Sequence, residues 1–269
     1  MLRNITIGQF FPGNSPVHRL DPRTKIVLTL AMIVCVFLSQ GFIGFALILA
    51  FTLLVCRSTG IGLKFIVRGL KPILYIVILT FALNLFFQTN GTVLWQWKFL
   101  RITEEGLRRA LYMAIRLMLL VVVSQLLTLT TSPIALTDGL EALMKPLKRI
   151  RFPAHEIAMM MSIALRFIPT LMEEADKIMK AQQARGADFE SGGLLRRAKA
   201  MVPLLVPLFV SAFRRADELA MAMEARCYRG GEGRTRMRQL RCTRLDLAAF
   251  LIVAALIAAV AGLNILGAL

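Results

Sequence analysis

The chain has 269 residues, of which 57% are hydrophobic and 18% charged, with a formal net charge of +17. A soluble domain would be nearer half apolar, with about a quarter of its residues charged. The excess is gathered into runs such as "IVLTLAMIVCVFLSQGFIGFALILAFTLLVC" (26–56) and "LDLAAFLIVAALIAAVAGLNILGAL" (245–269). Apolar runs of about 18 residues or more cross the hydrocarbon of a bilayer as helices, so composition excludes a soluble protein and predicts an integral membrane one. A cleaved signal peptide is not expected, because no A-x-A site follows a short apolar core.

In chain order, the first membrane helix is predicted at 25–39, and "SQG" turns tightly into a second at 41–56. A basic stretch, "RSTGIGLKFIVRGLK" (57–71), leads to a third helix at 72–88. Its exit loop, "QTNGTVLWQWKFLRITEEG", is polar and carries both tryptophans. A fourth helix is predicted at 107–130. Arg108 and Arg109 can snorkel to the interface, and Arg116 is expected to face protein. The fifth membrane helix is predicted at 246–267. The expected organisation is therefore 1–130, holding about four membrane helices; 131–245, a charged helical region; and 246–269, the last membrane helix. The fold class is all-α.

The middle region has helical periodicity. "SPIALTDGLEALMKPLKRI" (132–150) reads as a short amphipathic helix lying along the membrane surface. Two longer helices are predicted at 153–185 and 194–228, separated by the loop "GADFESGG". The stretch "MVPLLVPLFVSAF" (201–213) is apolar but too short to span; a sixth membrane helix made by extending it is the topological alternative.

Charge alternates between loops. The N-terminal stretch holds four basic residues (Arg3, Arg19, Arg23, Lys25), the 57–71 loop four and the 131–245 region twenty, whereas the 39–41 turn holds none. This bias of Lys and Arg places the N-terminus, the 57–71 loop and the long region in the cytoplasm. The positive charge marks orientation, and no nucleic-acid partner is expected. Cys35 and Cys56 lie in apolar runs and act as small hydrophobes. Cys227 and Cys242 have neither a CxxC pattern nor a histidine pair, so neither zinc nor a disulfide is predicted.

A slide of 41 residues lays "LMEEADKIMKAQQARG" (171–186) over "AFRRADELAMAMEARC" (212–227). The shared pattern is A-D-x-Φ-x-x-A-x-x-A-R, with Φ aliphatic. Residues 171, 175, 178 and 181 fall on one helix face, as do 212, 216, 219 and 222. Arg185 and Arg226 each fall in the last helical turn, where the negative end of the dipole favours a cation. Gly186 is a natural stop after the first, whereas the second is expected to run on through "CYR" to Gly230-Gly231. Asp176 and Asp217 lie nine residues before these arginines, on the opposite side, and are not their partners. Each helix is thus read as presenting a guanidinium at its tip between small neighbours, suited to an acidic groove on another protein.

These features resemble the transmembrane (T) component of energy-coupling-factor transporters, a branch of the ABC importers. The match is carried by Ala184-Arg185-Gly186, by Ala225-Arg226-Cys227 and by "LDPRTKI" (20–26), within an arrangement that covers nearly the whole chain. The resemblance implies two ATPase subunits below the membrane, each receiving one arginine-bearing tip. It also implies a small membrane subunit that binds a vitamin or metal ion, with this chain joining the two. The six residues of the two tripeptides are carried over as ATPase contacts, with Cys227 standing where the family pattern has glycine. The expected setting is the cell membrane, with membrane lipid as a further partner. No catalytic, cofactor or metal residue is expected here, and ATP with magnesium belongs to the partners.

The absences agree. No GxxxxGK[ST] is present, and "RGGEGRT" (229–235) has neither its spacing nor its lysine. "HEIAM" (155–159) lacks the second histidine of a zinc helix. Eight methionines fall in the two long helices (159, 160, 161, 172, 179, 201, 221 and 223); they read either as core filling or as an adaptable surface for an exchangeable partner. The rival functions are a self-sufficient channel or secondary transporter, with Asn84, Gln88, Ser124, Gln125 and Asn264 as its polar candidates, and a membrane scaffold without transport.

Overall fold

The computed structural model describes residues 10–87, 93–97, 100–189, 193–231 and 239–267, and the chain clusters into two units. The first described here is formed by residues up to 140 together with those from 239 onward. It contains α1 (Pro16–Arg19), α2 (Pro22–Leu38), α3 (Phe42–Thr59), α4 (Leu63–Phe87), the strands β1 (Val93–Trp97) and β2 (Leu100–Thr103), α5 (Glu104–Thr130), most of α6 (Pro133–Met144) and α9 (Arg244–Gly267). The second, residues 141–231 as described, contains a 3₁₀ segment (Lys145–Ile150), α7 (Ala154–Ala184) and α8 (Leu194–Ala225). The chain is thus an all-α membrane protein, with one small antiparallel hairpin in which Gln96 pairs with Arg101.

Among the described residues four helices, within α3, α4, α5 and α9, are long and apolar enough to cross a membrane. The helix α2, with 17 residues, stands at the low end of the spanning range. Its start is written in "DPR": Asp21 caps it by accepting from the Arg23 amide at 2.9 Å, and Pro22 takes the first helical position, where no N–H is needed. Thr103 caps α5 in the same way, accepting from the Gly106 amide, and Glu104 and Glu105 complement the dipole of its first turn. The 201–213 stretch is interior to α8, and α8 does not stand among the four apolar spans.

Several boundaries differ from those predicted: α2 starts at Pro22 rather than 25, α5 at Glu104 rather than 107, and the helix predicted at 132–150 ends at Met144 and passes into the 3₁₀ segment. The third membrane helix begins at Leu63 rather than 72, and runs through Pro72. The basic residues of 64–71 therefore ride on a helix rather than a loop, because a long cation in the end turns of a span reaches the headgroups without breaking it. The predicted exit loop contains the hairpin. The second long helix of the 131–245 region stops at Ala225, not 228, for a reason given below.

The core of the first unit joins α2, α3, α5 and α9 through Met32, Cys35, Val36, Phe45, Ile48, Leu119, Val123, Val253, Leu256 and Val260. Packing alone leaves the polar ends of these helices to be satisfied, and each end of the bundle has its own knot. At one end Asp246, 2% exposed, accepts from the Asp21 amide at 2.8 Å and from both the amide and hydroxyl of Thr243 at 2.7 and 2.8 Å. This caps α9 and pins it to the start of α2. Beside it the Lys25 ammonium donates to the carbonyls of His18 and Thr130, both at 2.9 Å, tying α2 to the last carbonyls of α5. At the other end the Asn264 amide donates to the Leu38 carbonyl at 2.6 Å, and Arg116 donates to the Ser39 carbonyl at 3.0 Å while lying over the rings of Phe37 and Phe45. Arg116 faces protein, as predicted.

Asp246→Ala removes the acceptor shared by three donors and takes from the buried Lys25 one of its two nearby carboxylates, leaving Asp21. The expected cost is about 3–5 kcal/mol, read as a lowered unfolding temperature of the detergent-solubilised chain. An unchanged midpoint would show the knot to be incidental.

Candidate functional site: two arginine-tipped helix ends

The residues singled out by the repeat lie at the C-termini of α7 and α8, and their backbone geometry matches bond for bond. In α7, Arg185 is the C-cap residue, at φ −88°. Gly186 follows at φ +88°. The amide of Ala187 donates to the Gln182 carbonyl at 2.9 Å, and that of Gly186 to the Gln183 carbonyl at 2.9 Å. In α8, Arg226 is the C-cap residue, at φ −92°, and Cys227 follows at φ +55°. The Tyr228 amide donates to the Met223 carbonyl at 3.0 Å, and that of Cys227 to the Glu224 carbonyl at 2.8 Å. Both ends are Schellman motifs, in which the residue after the cap turns left-handed and the backbone closes its own last carbonyls.

The second helix therefore ends where the first does, and does not run on through Cys227. A cysteine in the left-handed position has to carry a Cβ clash of about 1–2 kcal/mol that glycine avoids. The bonds it makes are nonetheless those that Gly186 makes. The departure from glycine changes the energy of the turn and leaves its geometry in place.

All six tripeptide residues, Ala184 to Gly186 and Ala225 to Cys227, are exposed. Because the Schellman bonds satisfy the helix ends, neither guanidinium is needed as a cap. The two helices pack on each other within one unit. Arg215 donates to Glu174 at 3.1 Å across their contact, and a hydrogen bond with Ser211, followed by the Arg215 charge, holds the Glu174 carboxyl below its ordinary pKa despite some desolvation. Glu174 and Arg215 are 41 residues apart, the offset of the repeat, so the contact joins one and the same position of the two copies. From it each arginine lies eleven residues further along its helix, about 16 Å at 1.5 Å per residue. The two tips are matched arms on a shared crossing point.

Within the repeat face, Leu171, Ala175 and Ile178 in α7 and Ala212 and Leu219 in α8 are half-buried, while Ala181, Ala216 and Ala222 remain exposed. Upstream of the repeat α8 carries an open apolar stripe that overlaps and adjoins the repeat face: Val202, Leu205, Val206, Phe209, Val210 and Phe213 recur at helical spacing and are 43–61% exposed up to Val210, reaching 69% at Phe213. Of the eight methionines, 160, 161, 201 and 221 are exposed and the others half-buried. His155 is engaged with Glu141 at 3.0 Å, and among the described residues no group of His, Cys, Asp and Glu could hold a metal ion. The Glu174–Arg215 pair was missed from sequence, although the alignment held its signal: Glu173-Glu174 stand over Arg214-Arg215, opposite charges in one slot.

Membrane-spanning helices joined to a pair of amphipathic, arginine-tipped helices define a multi-pass transport component. A family model described as cobalt transport protein, CbiQ, matches residues 13–237. Relatives named energy-coupling factor transporter transmembrane protein EcfT are similar over nearly the whole chain. That of Thermosediminibacter oceani is 61% identical, covering 93% of this chain and 94% of its own; that of Ruminiclostridium cellulolyticum is 60% identical, covering 92% of each; and that of Bacillus subtilis is 50% identical, covering 96% and 98%. The chain belongs to this family, the T components of energy-coupling-factor transporters.

Cys227→Gly should relieve the left-handed strain by about 1 kcal/mol, and Gly186→Ala should introduce a similar cost. Hydrogen exchange at the amides of residues 227–228 should slow about fivefold in the first variant, and that at 186–187 quicken about fivefold in the second. Unchanged exchange in both would mean that the left-handed turn does not limit these ends.

Proposed function

We propose that this chain is the coupling subunit of an importer: it links two cytosolic ATPases to a membrane subunit that binds the cargo. The observation that carries the proposal is the pair of matched, exposed arginines, each freed from capping and equally distant from the Glu174–Arg215 crossing. Two similar receptors below the membrane need two similar ligands, and a planar guanidinium fits a carboxylate in an acidic groove by paired hydrogen bonds. Nucleotide hydrolysis, with its ATP and magnesium, resides in those partners; this chain performs no catalysis and carries no cofactor. The family description favours cobalt or a similar metal ion as cargo, with a vitamin as the other class that the resemblance implies. The N-terminus, the start of α4 and the α7–α8 pair lie on the cytoplasmic side of the cell membrane, as the distribution of Lys and Arg requires.

Movement of the ATPases would reach the crossing through two short, capped levers. The open apolar face of α8 and the exposed methionines supply an adaptable landing surface for the cargo-binding subunit. The rival reading, a channel or secondary transporter, needs polar side chains available to a path. Asn84 bonds the Thr80 carbonyl, Ser124 the Leu120 carbonyl, and Asn264 closes the α2–α3 turn, while Gln125 donates to the Phe65 carbonyl and leaves its buried Oε1 without a partner. Gln88 lies outside the described residues. These local bonds favour coupling over conduction.

Arg185→Ala and Arg226→Ala should each weaken ATPase capture by about 2–5 kcal/mol, and the double variant should abolish assembly while the chain stays in the membrane. Copurification measures this, and full recovery of the complex from the double variant would contradict the proposal. A second expectation concerns the landing surface: two different cargo-binding subunits should compete for the purified complex. One subunit that never exchanges would count against an adaptable surface.

A further inference from the structure

We propose that the notch between α4 and α5 is a headgroup site for a donor-bearing anionic phospholipid, phosphatidylglycerol. The notch has a cavity volume of about 440 Å³ and is lined by Arg68, Gly69, Pro72 and Ile73 on α4 and by Leu120, Val121, Ser124, Gln125 and Thr128 on α5. Its rim reaches headgroup depth. With 25 and 27 residues, α4 and α5 are about 37 and 40 Å long, longer than the roughly 30 Å of hydrocarbon. About two to three residues at each end therefore lie among the headgroups. Thr128, two residues from the end of α5, stands at that level, and Arg68, five residues into α4, reaches it with its long side chain, with Ser124 below them in the notch.

The chemistry of the lining is lopsided. Ser124 and Thr128 donate their hydroxyl hydrogens to the carbonyls of Leu120 and Ser124, at 2.9 and 3.3 Å, which leaves their oxygens as acceptors. Gln125 donates its amide to the Phe65 carbonyl at 3.4 Å, and its Oε1 is buried with no partner. Pro72 has no N–H to give the carbonyl of Arg68, one turn earlier, so that carbonyl loses its helical donor. Against these acceptors stands one cationic fork, Arg68, exposed and over the Phe65 ring at 5.9 Å. The packing is close as well: a Cβ at Gly69 would meet the Gln125 amide group at 2.0–2.6 Å, so a larger residue there would displace the glutamine from its present place in the notch.

A ligand that answers this lining carries an anion for Arg68 and several hydrogen-bond donors for the oxygens. A bare phosphate supplies only the first. Phosphatidylcholine has a phosphate, but its trimethylammonium has no N–H. Phosphatidylglycerol has a phosphate and two hydroxyls on one short headgroup, and its acyl chains continue along the exposed apolar flank of α4, at Tyr75, Ile78 and Leu79.

The test titrates the purified full chain with phosphatidylglycerol, phosphatidylcholine and phosphatidic acid, and counts retained lipid by native mass spectrometry. The wild type should hold one phosphatidylglycerol at least about tenfold more tightly than phosphatidylcholine. Arg68→Gln should weaken retention of both lipids, Arg68→Lys should fall between, and Lys64→Gln, outside the notch, should change nothing. The double variant Ser124→Ala/Thr128→Val should weaken phosphatidylglycerol and spare phosphatidic acid. Gly69→Ala should weaken phosphatidylglycerol with Arg68 intact. Equal retention of phosphatidylglycerol and phosphatidylcholine by the wild type would overturn the proposal. So would equal losses in Arg68→Gln and Lys64→Gln, which would mark surface charge alone. Unchanged selectivity in the hydroxyl double variant, with an unfolding curve like that of the wild type, would reduce the notch to a phosphate cradle and overturn the headgroup assignment.

Discussion

The last carbonyls of a helix have no partner within it, and in or near a bilayer core water is not there to supply one. Much of this chain can be understood as two answers to that constraint. In the membrane unit the answer is a side chain lent by another helix. Lys25 reaches the end of α5, Arg116 and Asn264 close the α2–α3 turn, and each of these groups is thereby committed. In α7 and α8 the answer is the backbone itself, through paired Schellman bonds. A cation therefore stands at each of these ends without being needed there. Arg185 and Arg226 gain from the dipole, and the backbone closure leaves their planar donors unused as caps.

The same argument explains how the second tip tolerates Cys227. If glycine were needed so that a receptor could touch the bare backbone, cysteine would alter the tip's surface. If glycine serves to turn the chain left-handed, cysteine reproduces the turn at a cost and keeps the arginine where it was. The matched amide bonds at Ala187 and Tyr228 favour the second role. The cost is local, because the clash lies within the residue's own backbone.

Much of the fold was legible because its signals are local. Apolar length marked the spans and Gly186 marked the end of α7, whereas α2 starts at Pro22, three residues before the start that its apolar run predicts. The arginine pair was legible for the same reason, since it repeats in register over sixteen residues. What escaped was either non-local or locally contradicted. Asp21 and Asp246 are 225 residues apart, and no periodicity connects them. The start of α4 was hidden by Gly60, by Gly62 and by Pro72, which argue for a loop until packing on α5 outweighs them. "LDPRTKI" could be seen as a pattern, but its reason could not: Asp21 caps, Lys25 tethers, and both act on helices far along the chain.

The repeat is symmetric at its tips and at its crossing, and it is asymmetric elsewhere. The first copy brings Glu173-Glu174 where the second brings Arg214-Arg215, so the copies attract each other at the shared position rather than repel. Upstream of that point the helices diverge in character: α8 carries the open stripe from Val202 to Phe213, while α7 buries Ala154 and Ala158. A perfect duplication would have placed like charges against each other and given both helices the same outer face. Divergence at the crossing makes the pair hold together, and divergence upstream leaves one helix with a surface that the other lacks. On the proposed reading this suits an assembly with two like motors and a single cargo subunit: the conserved halves of the repeat meet what is paired, and the diverged half meets what is not.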